Sequence, residues 1–93
     1  KIKPSLKTTE LEIGTVTHYF PNISVGIIEL TQGIINRGDK IKIKGSTTDF
    51  TQTVTSMQRD HQPVDEARAG QVIGMKMSDR VREHDKVYLS KML

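Results

Sequence analysis

Cysteine and tryptophan are absent from this chain of 93 residues, and aromatic side chains are scarce, with two tyrosines and two phenylalanines. The absence of cysteine excludes disulfide bonds and thiolate metal sites. That composition suits a reducing compartment, and we expect a cytoplasmic protein. No apolar run approaches the roughly 18 residues of a membrane span, and the first residues do not resemble a secretory signal. We therefore expect no membrane contact.

Motifs for catalysis and nucleotide binding are also missing. The chain has no Gly-x-x-x-x-Gly-Lys-Ser/Thr loop, so we expect it to bind no nucleotide. His18, His61 and His84 lie far apart in the sequence, without the His-x-His or His-Glu-x-x-His spacing that is typical of metal sites. None of the serines stands in a nucleophile-elbow context. The sequence therefore predicts no catalytic residue, no metal site and no cofactor.

The chain does contain alternating segments that are typical of β-strands. From Lys40 to Lys44 the residues alternate between lysine and isoleucine, so that Ile41 and Ile43 share one face and three ammonium groups share the other. Residues 72–77 repeat this logic, with an isoleucine and two methionines on one face. Glycines at the ends of these segments supply the turns.

The whole pattern predicts an all-β fold, a closed antiparallel β-barrel of about six to seven strands. We expect residues 1–9 to form a lead-in and residues 10–93 to form a single barrel domain, because 93 residues with 34% hydrophobic content fill one small core. The predicted strands lie at residues 10–20, 24–30, 40–44, 50–59, 72–77 and 86–92.

Three local features complete this prediction. Ile34 and Ile35 stand in a turn, where we expect them to plug one end of the barrel. Val54 and Met57 fall on opposite parity within 50–59, which indicates a bulge or strong bend. Residues 64–67, which follow a proline, are predicted to form one helical turn.

Three ordered motifs resemble the second domain of translational GTPases, the barrel that follows the nucleotide-binding domain in elongation factor Tu. They are GIINRGDKIKIKG at residues 33–45, VDEARAGQVIGMKM at 64–77 and VREHDKVY at 81–88. Through THYF and TTDFTQTVTSMQ the chain also resembles small stand-alone elongation-factor-like proteins. The resemblance implies a barrel of the translation-protein type, which reductases share with elongation factor domain 2.

The resemblance also implies a function in translation, because the family's second domain contacts transfer RNA ends or the ribosome. A basic residue of the family's aminoacyl-end pocket falls near Arg59 or His61. The chain departs from the family at Gln71 and Val72, where an acidic residue and an asparagine usually stand. This departure indicates a changed ligand.

The charge of the chain gives modest support for RNA binding. The formal net charge is +3, and basic residues that fit phosphate contacts are Arg37, Lys40, Lys42, Lys44, Lys76, Arg59, His61 and Arg68. The lysines at 40, 42 and 44 form a stripe whose alternative interpretation is a solvated strand face that discourages edge pairing. Acidic residues interrupt the second cluster, around Arg59, His61 and Arg68, so much of its charge is cancelled locally.

Two functions remain open from the sequence. The first is a non-catalytic module that binds transfer RNA, ribosomal RNA or the ribosome, with salt-sensitive affinity. The alternative is a protein–protein interaction barrel that acts beside, or as part of, a larger enzyme or factor and forms salt-tolerant complexes. For this alternative, the candidate contacts are the tip at residues 19–24, with Tyr19, Phe20 and Asn22, together with the loop 60–69.

Overall fold

A computed structural model describes residues 8–92, and all of the regular structure in this range is β-strand. The ten strands are β1 (Thr8–Phe20), β2 (Val25–Leu30), β3 (Ile34–Asn36), β4 (Lys40–Lys44), β5 (Asp49–Thr53), β6 (Met57–Arg59), β7 (Gln62–Val64), β8 (Glu66–Arg68), β9 (Val72–Lys76) and β10 (Lys86–Met92). The predicted all-β class is confirmed. The strands are more numerous than predicted, because the segment 50–59 divides into β5 and β6 and because β3, β7 and β8 form where no strand was predicted.

Eight strands form one antiparallel sheet in the order β5-β4-β10-β1-β2-β9-β6-β7, and β3 pairs with β8 in a second sheet. The long strand β1 lies at the centre and pairs with β10 on one side and β2 on the other. Its register shifts between Glu12 and Gly14 and again between Val16 and His18. Such bulges bend a strand and increase its twist. The bent β1 pairs with β10 through its first part and with β2 through its last part, and so joins two halves of a curved sheet.

Gly14 marks the first of these bends for a steric reason. A Cβ atom at this position would lie 2.6 Å from the carbonyl oxygen of Glu29 on β2. That separation is shorter than any normal contact, so the close approach of β1 and β2 requires glycine here.

The core lies on the inner face of the curved sheet, and strict alternation selects its members. In β4 the isoleucines are buried while Lys40 and Lys44 are exposed. In β9 Ile73 and Met75 are buried, and Met77 is buried just beyond its end. These inward positions confirm the predictions from the alternating segments. The core residues come from all parts of the described chain and include Ile13, Val16, Ile28, Leu30, Ile35, Ile41, Ile43, Val54, Met57, Ile73, Met75, Val81, Val87 and Leu89.

The predicted helical turn at residues 64–67 is wrong. Pro63 lies in β7, which is the last strand of the large sheet and pairs only with β6. A proline is tolerated in an edge strand, because its missing amide can face away from the partner strand. The next residues form β8 against β3, so tertiary pairing overrides the local helical signal.

Ile34 and Ile35 also differ from the prediction, because they form a strand and not a turn. In β3, Ile35 is buried and Ile34 is 47% exposed, so only one of the pair belongs to the core. Val54 and Met57 are both buried, although their parity differs. The chain achieves this by leaving the sheet at residues 54–56, between β5 and β6, where the sequence predicted a bulge or bend.

The two ends of the large sheet are β5 and β7, and no backbone ladder joins them in residues 8–92. One side chain spans a seam beside β5. Gln52 donates from Nε2 to the carbonyl oxygen of Lys76 at 2.9 Å, and its Oε1 accepts from the amide of Ser78 at 2.6 Å. Gln52 therefore makes the pair of hydrogen bonds that a neighbouring strand would otherwise make.

Candidate functional site

An apolar groove of about 400 Å³ lies on the outer face of the sheet, beside β2 and β9. Its floor contains Val25 and Ile27 from β2 and Val72 and Gly74 from β9. These residues point outward because their neighbours Ile28 and Ile73 are buried and side chains alternate along a strand. The outer face of this part of the sheet is thus apolar, where alternation normally places polar residues.

Gly74 gives the groove its depth. It pairs with Ile27 on one side and with Gln58 of β6 on the other, so it is flanked by two larger residues. A Cβ atom at this position would meet Ile27 Cδ1 and Val25 Cγ1 at 3.5 Å, which is ordinary van der Waals contact. The absence of a side chain at residue 74 therefore leaves a space between its neighbours. The fold does not require this space, because an alanine would fit here without a clash.

One rim of the groove is formed by the turn between β1 and β2. Phe20 is 43% exposed and Ile23 is 57% exposed, and Val72 on the floor is 52% exposed. Ser24 ends the turn with a φ of 56°, which lets the chain reverse tightly into β2. Three large apolar side chains are therefore presented to solvent in one place, which is typical of a contact surface.

The opposite rim is the turn of the β6–β7 hairpin. Because Arg59 pairs with Gln62, the loop consists of Asp60 and His61 alone. Their φ values are 55° and 64°, so both residues adopt the left-handed conformation that two-residue type I′ loops require. Glycine or asparagine usually occupies these positions, and here a carboxylate and an imidazole stand over the groove instead.

Carboxylates flank one end of the groove. Glu29 pairs directly with Val72 across β2 and β9, and Asp60 stands in the hairpin turn. In the part of the chain that the structure describes, neither carboxylate has a cationic partner within 4.0 Å. The other end carries a cation, because Lys76 pairs with Val25. The groove is therefore polarised along the direction of β9.

The lysine stripe lies on a different part of the sheet and is compensated at its central residue. On the outer face of β4, Lys42 Nζ lies 3.6 Å from Glu10 Oε2 of β1, two strands away. Lys44 pairs with Asp49 of β5 in the strand register. On the adjacent strand, Lys86 lies 3.6 Å from a carboxylate of β1. Acidic residues therefore interrupt the positive stripe that the sequence alone presents.

The other predicted RNA contacts are dispersed. Arg37 pairs with Asp65 at 3.2 Å and Arg68 pairs with Glu66 at 2.8 Å, both close to β3 and β8. The remaining candidates are near the groove: Arg59 and His61 in the β6–β7 hairpin, and Lys76 on β9. The fold thus separates the eight candidates into three regions, and their role in RNA binding stays a prediction.

The predicted partner contacts fall beside the groove. Phe20 lines it directly, Asn22 is exposed in the adjoining turn, and Tyr19 is half-buried against the core. Ile23 lies within the predicted tip at residues 19–24, and Val72 was noted from the sequence as a departure from the family pattern and not as a partner contact. The sequence pattern could have identified Val72 as an exposed apolar residue, because it lies on the same strand face as Lys76.

Metal chemistry has no assembled site in residues 8–92, where no group of three or more histidine or acidic side chains could hold an ion. Within the same residues, no helix has the length and apolar character needed to cross a membrane.

Comparison with known proteins identifies the family. The family model for elongation factor Tu domain 2 matches residues 24–79, which is more than half of the chain. The chain belongs to the elongation factor Tu domain 2 family. The predicted resemblance is confirmed, and the match spans the groove floor and the β6–β7 hairpin.

The chain is also similar to parts of longer proteins. An uncharacterized protease of Methanocaldococcus jannaschii is 41% identical over 86 residues, which cover 91% of this chain and 21% of that protein. A collagenase of Porphyromonas gingivalis W83 is 32% identical over 80 residues, which cover 85% of this chain and 19% of the collagenase. The chain therefore spans about a fifth of the length of these relatives.

A solved structure shows the same fold. The C-terminal domain of a Geobacillus thermoleovorans protein described as a U32 peptidase superposes with a TM-score of 0.78 at 18% sequence identity. The match covers 84% of this chain and 90% of that domain. At this identity the likeness concerns the fold alone, and it shows that a domain of this fold crystallises by itself.

Proposed function

We propose that this chain is a non-catalytic protein-binding module that acts beside, or as part of, a larger enzyme related to peptidases, and that its groove contacts polypeptide. The observation that carries the proposal is the cluster of exposed apolar side chains, Phe20, Ile23 and Val72, around a preformed groove. The match to about a fifth of proteins named as a protease and a collagenase supports the enzymatic context.

The groove has the composition of a protein-docking site. Interfaces between proteins place apolar side chains at the centre and polar groups at the rim. Here the aliphatic floor of β2 and β9 lies at the centre, and Gln58, Asp60 and His61 form a polar rim. The floor is built on inner strands of the sheet and is therefore rigid. Binding a partner orders few residues of this chain, so little affinity is lost.

Several observations favour a polypeptide over RNA. Phosphate contacts need a concentrated positive surface, whereas Lys42 and Lys86 are paired with glutamates and the candidate cations outside β4 lie in separate regions. Stacking platforms are equally scarce, because Phe20 is the one exposed ring among the four phenylalanine and tyrosine residues, all of which lie in residues 8–92. The relatives are named for proteolysis. A role with transfer RNA or the ribosome stays a prediction.

We further propose that the sheet curves into a closed barrel in solution, with Gln52 completing the seam. Its side-chain amide joins β5 to the end of β9 through the bonds to Lys76 and Ser78. A closed barrel leaves no long strand edge for another chain to pair with. The seam thus directs partners to the groove.

The experiment is a titration of the isotope-labelled 93-residue chain with β-casein and gelatin, two unfolded polypeptides, and separately with transfer RNA. With polypeptide, we expect amide shifts grouped around β2, β9 and the β6–β7 hairpin that persist from low to moderate salt. Val72→Lys introduces a charge on the exposed floor and abolishes these shifts, whereas Thr51→Lys, at an exposed position of β5, keeps them.

A different pattern would overturn the proposal. Shifts with transfer RNA that group on Lys40–Lys44 and vanish as salt rises, together with none for either polypeptide, would make the chain an RNA-binding module.

A further inference from the structure

We infer that the groove selects an extended polypeptide segment in which a bulky aliphatic residue stands next to a lysine or arginine. The inference rests on the proposed function and adds the chemistry of the partner. Two observations carry it: the apolar floor formed by β2 and β9, and the carboxylates of Glu29 and Asp60 at one end of that floor.

The dimensions suit a short extended segment. The floor extends from Val72 of β9 to Val25 of β2, which pairs with Lys76. This span corresponds to roughly 13 Å along a strand with a rise of about 3.3 Å per residue. Four or five residues of an extended partner would cover that distance. The depression over Gly74 then lies at the middle of the segment, where an aliphatic side chain replaces the missing one.

Charge complementarity determines which residue of the partner flanks its aliphatic side chain. Four of the nine other acidic side chains in the described range, Glu10, Glu12, Asp65 and Glu66, pair with lysine or arginine, and Glu83 lies beside His18. Glu29 and Asp60 have none within 4.0 Å in that range, and both stand at the Val72 end of the floor. A basic residue bound there gains two attractive contacts, whereas an acidic one is repelled.

The two described ends of the chain lie away from the groove. Thr8 pairs with Met92 at the start of β1, whereas the groove lies beside Phe20 at the end of that strand. A strand of this length places roughly 30 Å or more of chain between them. A partner polypeptide therefore reaches the groove without passing those ends.

The test uses blocked fluorescent pentapeptides with a Leu-Val-Leu centre. One terminal residue is lysine or glutamate and the other is serine, in both orders, and binding to the 93-residue chain is followed by fluorescence polarisation. In one of the two orders, we expect the lysine peptide to bind about three- to tenfold more tightly than its glutamate counterpart, since exposed ion pairs are individually weak.

Variants of this chain distinguish the contribution of the carboxylates from that of the apolar groove. Glu29→Gln combined with Asp60→Asn removes the preference for lysine while the peptides still bind, and asparagine tolerates the left-handed conformation at residue 60. Asp49→Asn, a matched change at an exposed carboxylate on β5, keeps the preference. Gly74→Ala weakens binding of every peptide, because its methyl group occupies the depression without a clash.

Each contrary result has one meaning. Equal binding of lysine and glutamate peptides, or an unchanged preference in the double variant, overturns this inference while the proposed protein-binding function stands. Absence of binding by all of the peptides and by β-casein and gelatin overturns both. Concentration-dependent dimers that Val72→Lys abolishes would make a second copy of the chain the occupant, against the inference.

Discussion

At the scale of single residues, Gly45 is a position where a side chain is poorly tolerated. It follows β4, and a Cβ atom there would collide with the carboxylate of Asp85. Asp85 is buried, and its carboxylate accepts a hydrogen bond from the amide of Arg82 at 2.9 Å, so it cannot move away freely. This contact joins the end of β4 to the turn before β10.

Gly45→Ala should therefore lower the free energy of unfolding by about 1–3 kcal/mol, the usual cost of overpacking. Urea denaturation measures the change. The matched control is Gly74→Ala, where the added methyl group meets only ordinary contacts and stability should stay within about 0.5 kcal/mol. Equal effects of the two substitutions would contradict the steric explanation.

The two-residue loop Asp60-His61 holds strain at the groove rim. Both residues have positive φ, a conformation that costs a residue with a side chain roughly 1–2 kcal/mol. His61→Gly should raise the free energy of unfolding by about 0.5–1 kcal/mol, because the relief of strain outweighs the added freedom of the unfolded chain. Thermal denaturation provides the measurement. Gln62→Gly, one residue later in β7, should instead destabilise the chain.

At the scale of elements, the seam beside β5 depends on one side chain. Gln52→Ala removes the hydrogen bonds to Lys76 and Ser78 and should lower the free energy of unfolding by about 1–2 kcal/mol. Hydrogen exchange at the amide of Ser78 should become faster. Gln58→Ala serves as the control, since its exposed side chain makes no hydrogen bond with the residues that the structure describes. Unchanged exchange at Ser78 in the first variant would show that the seam is held by other contacts.

The elements also differ in how far the sequence predicts them. The strands β2, β4 and β9 follow from alternation, because each has one buried face and sufficient length. β7 and β8 have three residues each, too few for a period of two to be recognised, and Pro63 favours a different local structure. β7 exists because it pairs with β6 across a two-residue loop, and β8 exists because it pairs with β3, which is distant in the sequence.

At the scale of the whole molecule, the core lies on the inner face of the sheet and the proposed polypeptide-binding surface lies on its outer face. Ile28→Ala empties a fully buried position in β2 and should cost about 2–5 kcal/mol, a large part of the 5–15 kcal/mol that stabilises a typical domain. Val72→Ala, on the outer face of β9, should leave stability within about 0.5 kcal/mol but weaken polypeptide binding. Calorimetry and the polarisation assay measure the two effects. A large loss of stability in Val72→Ala would place that residue in the core.

The separation of the lysine stripe from the groove supplies a further prediction. Lys44→Glu reverses a charge on β4, which is separated from β2 in the sheet by β10 and β1. Polypeptide affinity should therefore change by less than about twofold at moderate salt, where charges farther apart than roughly 8–10 Å are screened. Peptide titration of the variant measures it. A tenfold change would show that the stripe takes part in the same binding surface.

By itself, the sequence determined the all-β class, the inward residues of the longer strands and the family. Alternation and turn motifs are local patterns, so they can be recognised without knowing which strands pair. Only the tertiary structure decided the site. The groove exists because Gly74 is placed between Ile27 and Gln58, and the lysine stripe is weakened because Glu10 reaches Lys42. Both depend on the register between strands far apart in sequence, and the pattern of a single strand does not contain that register.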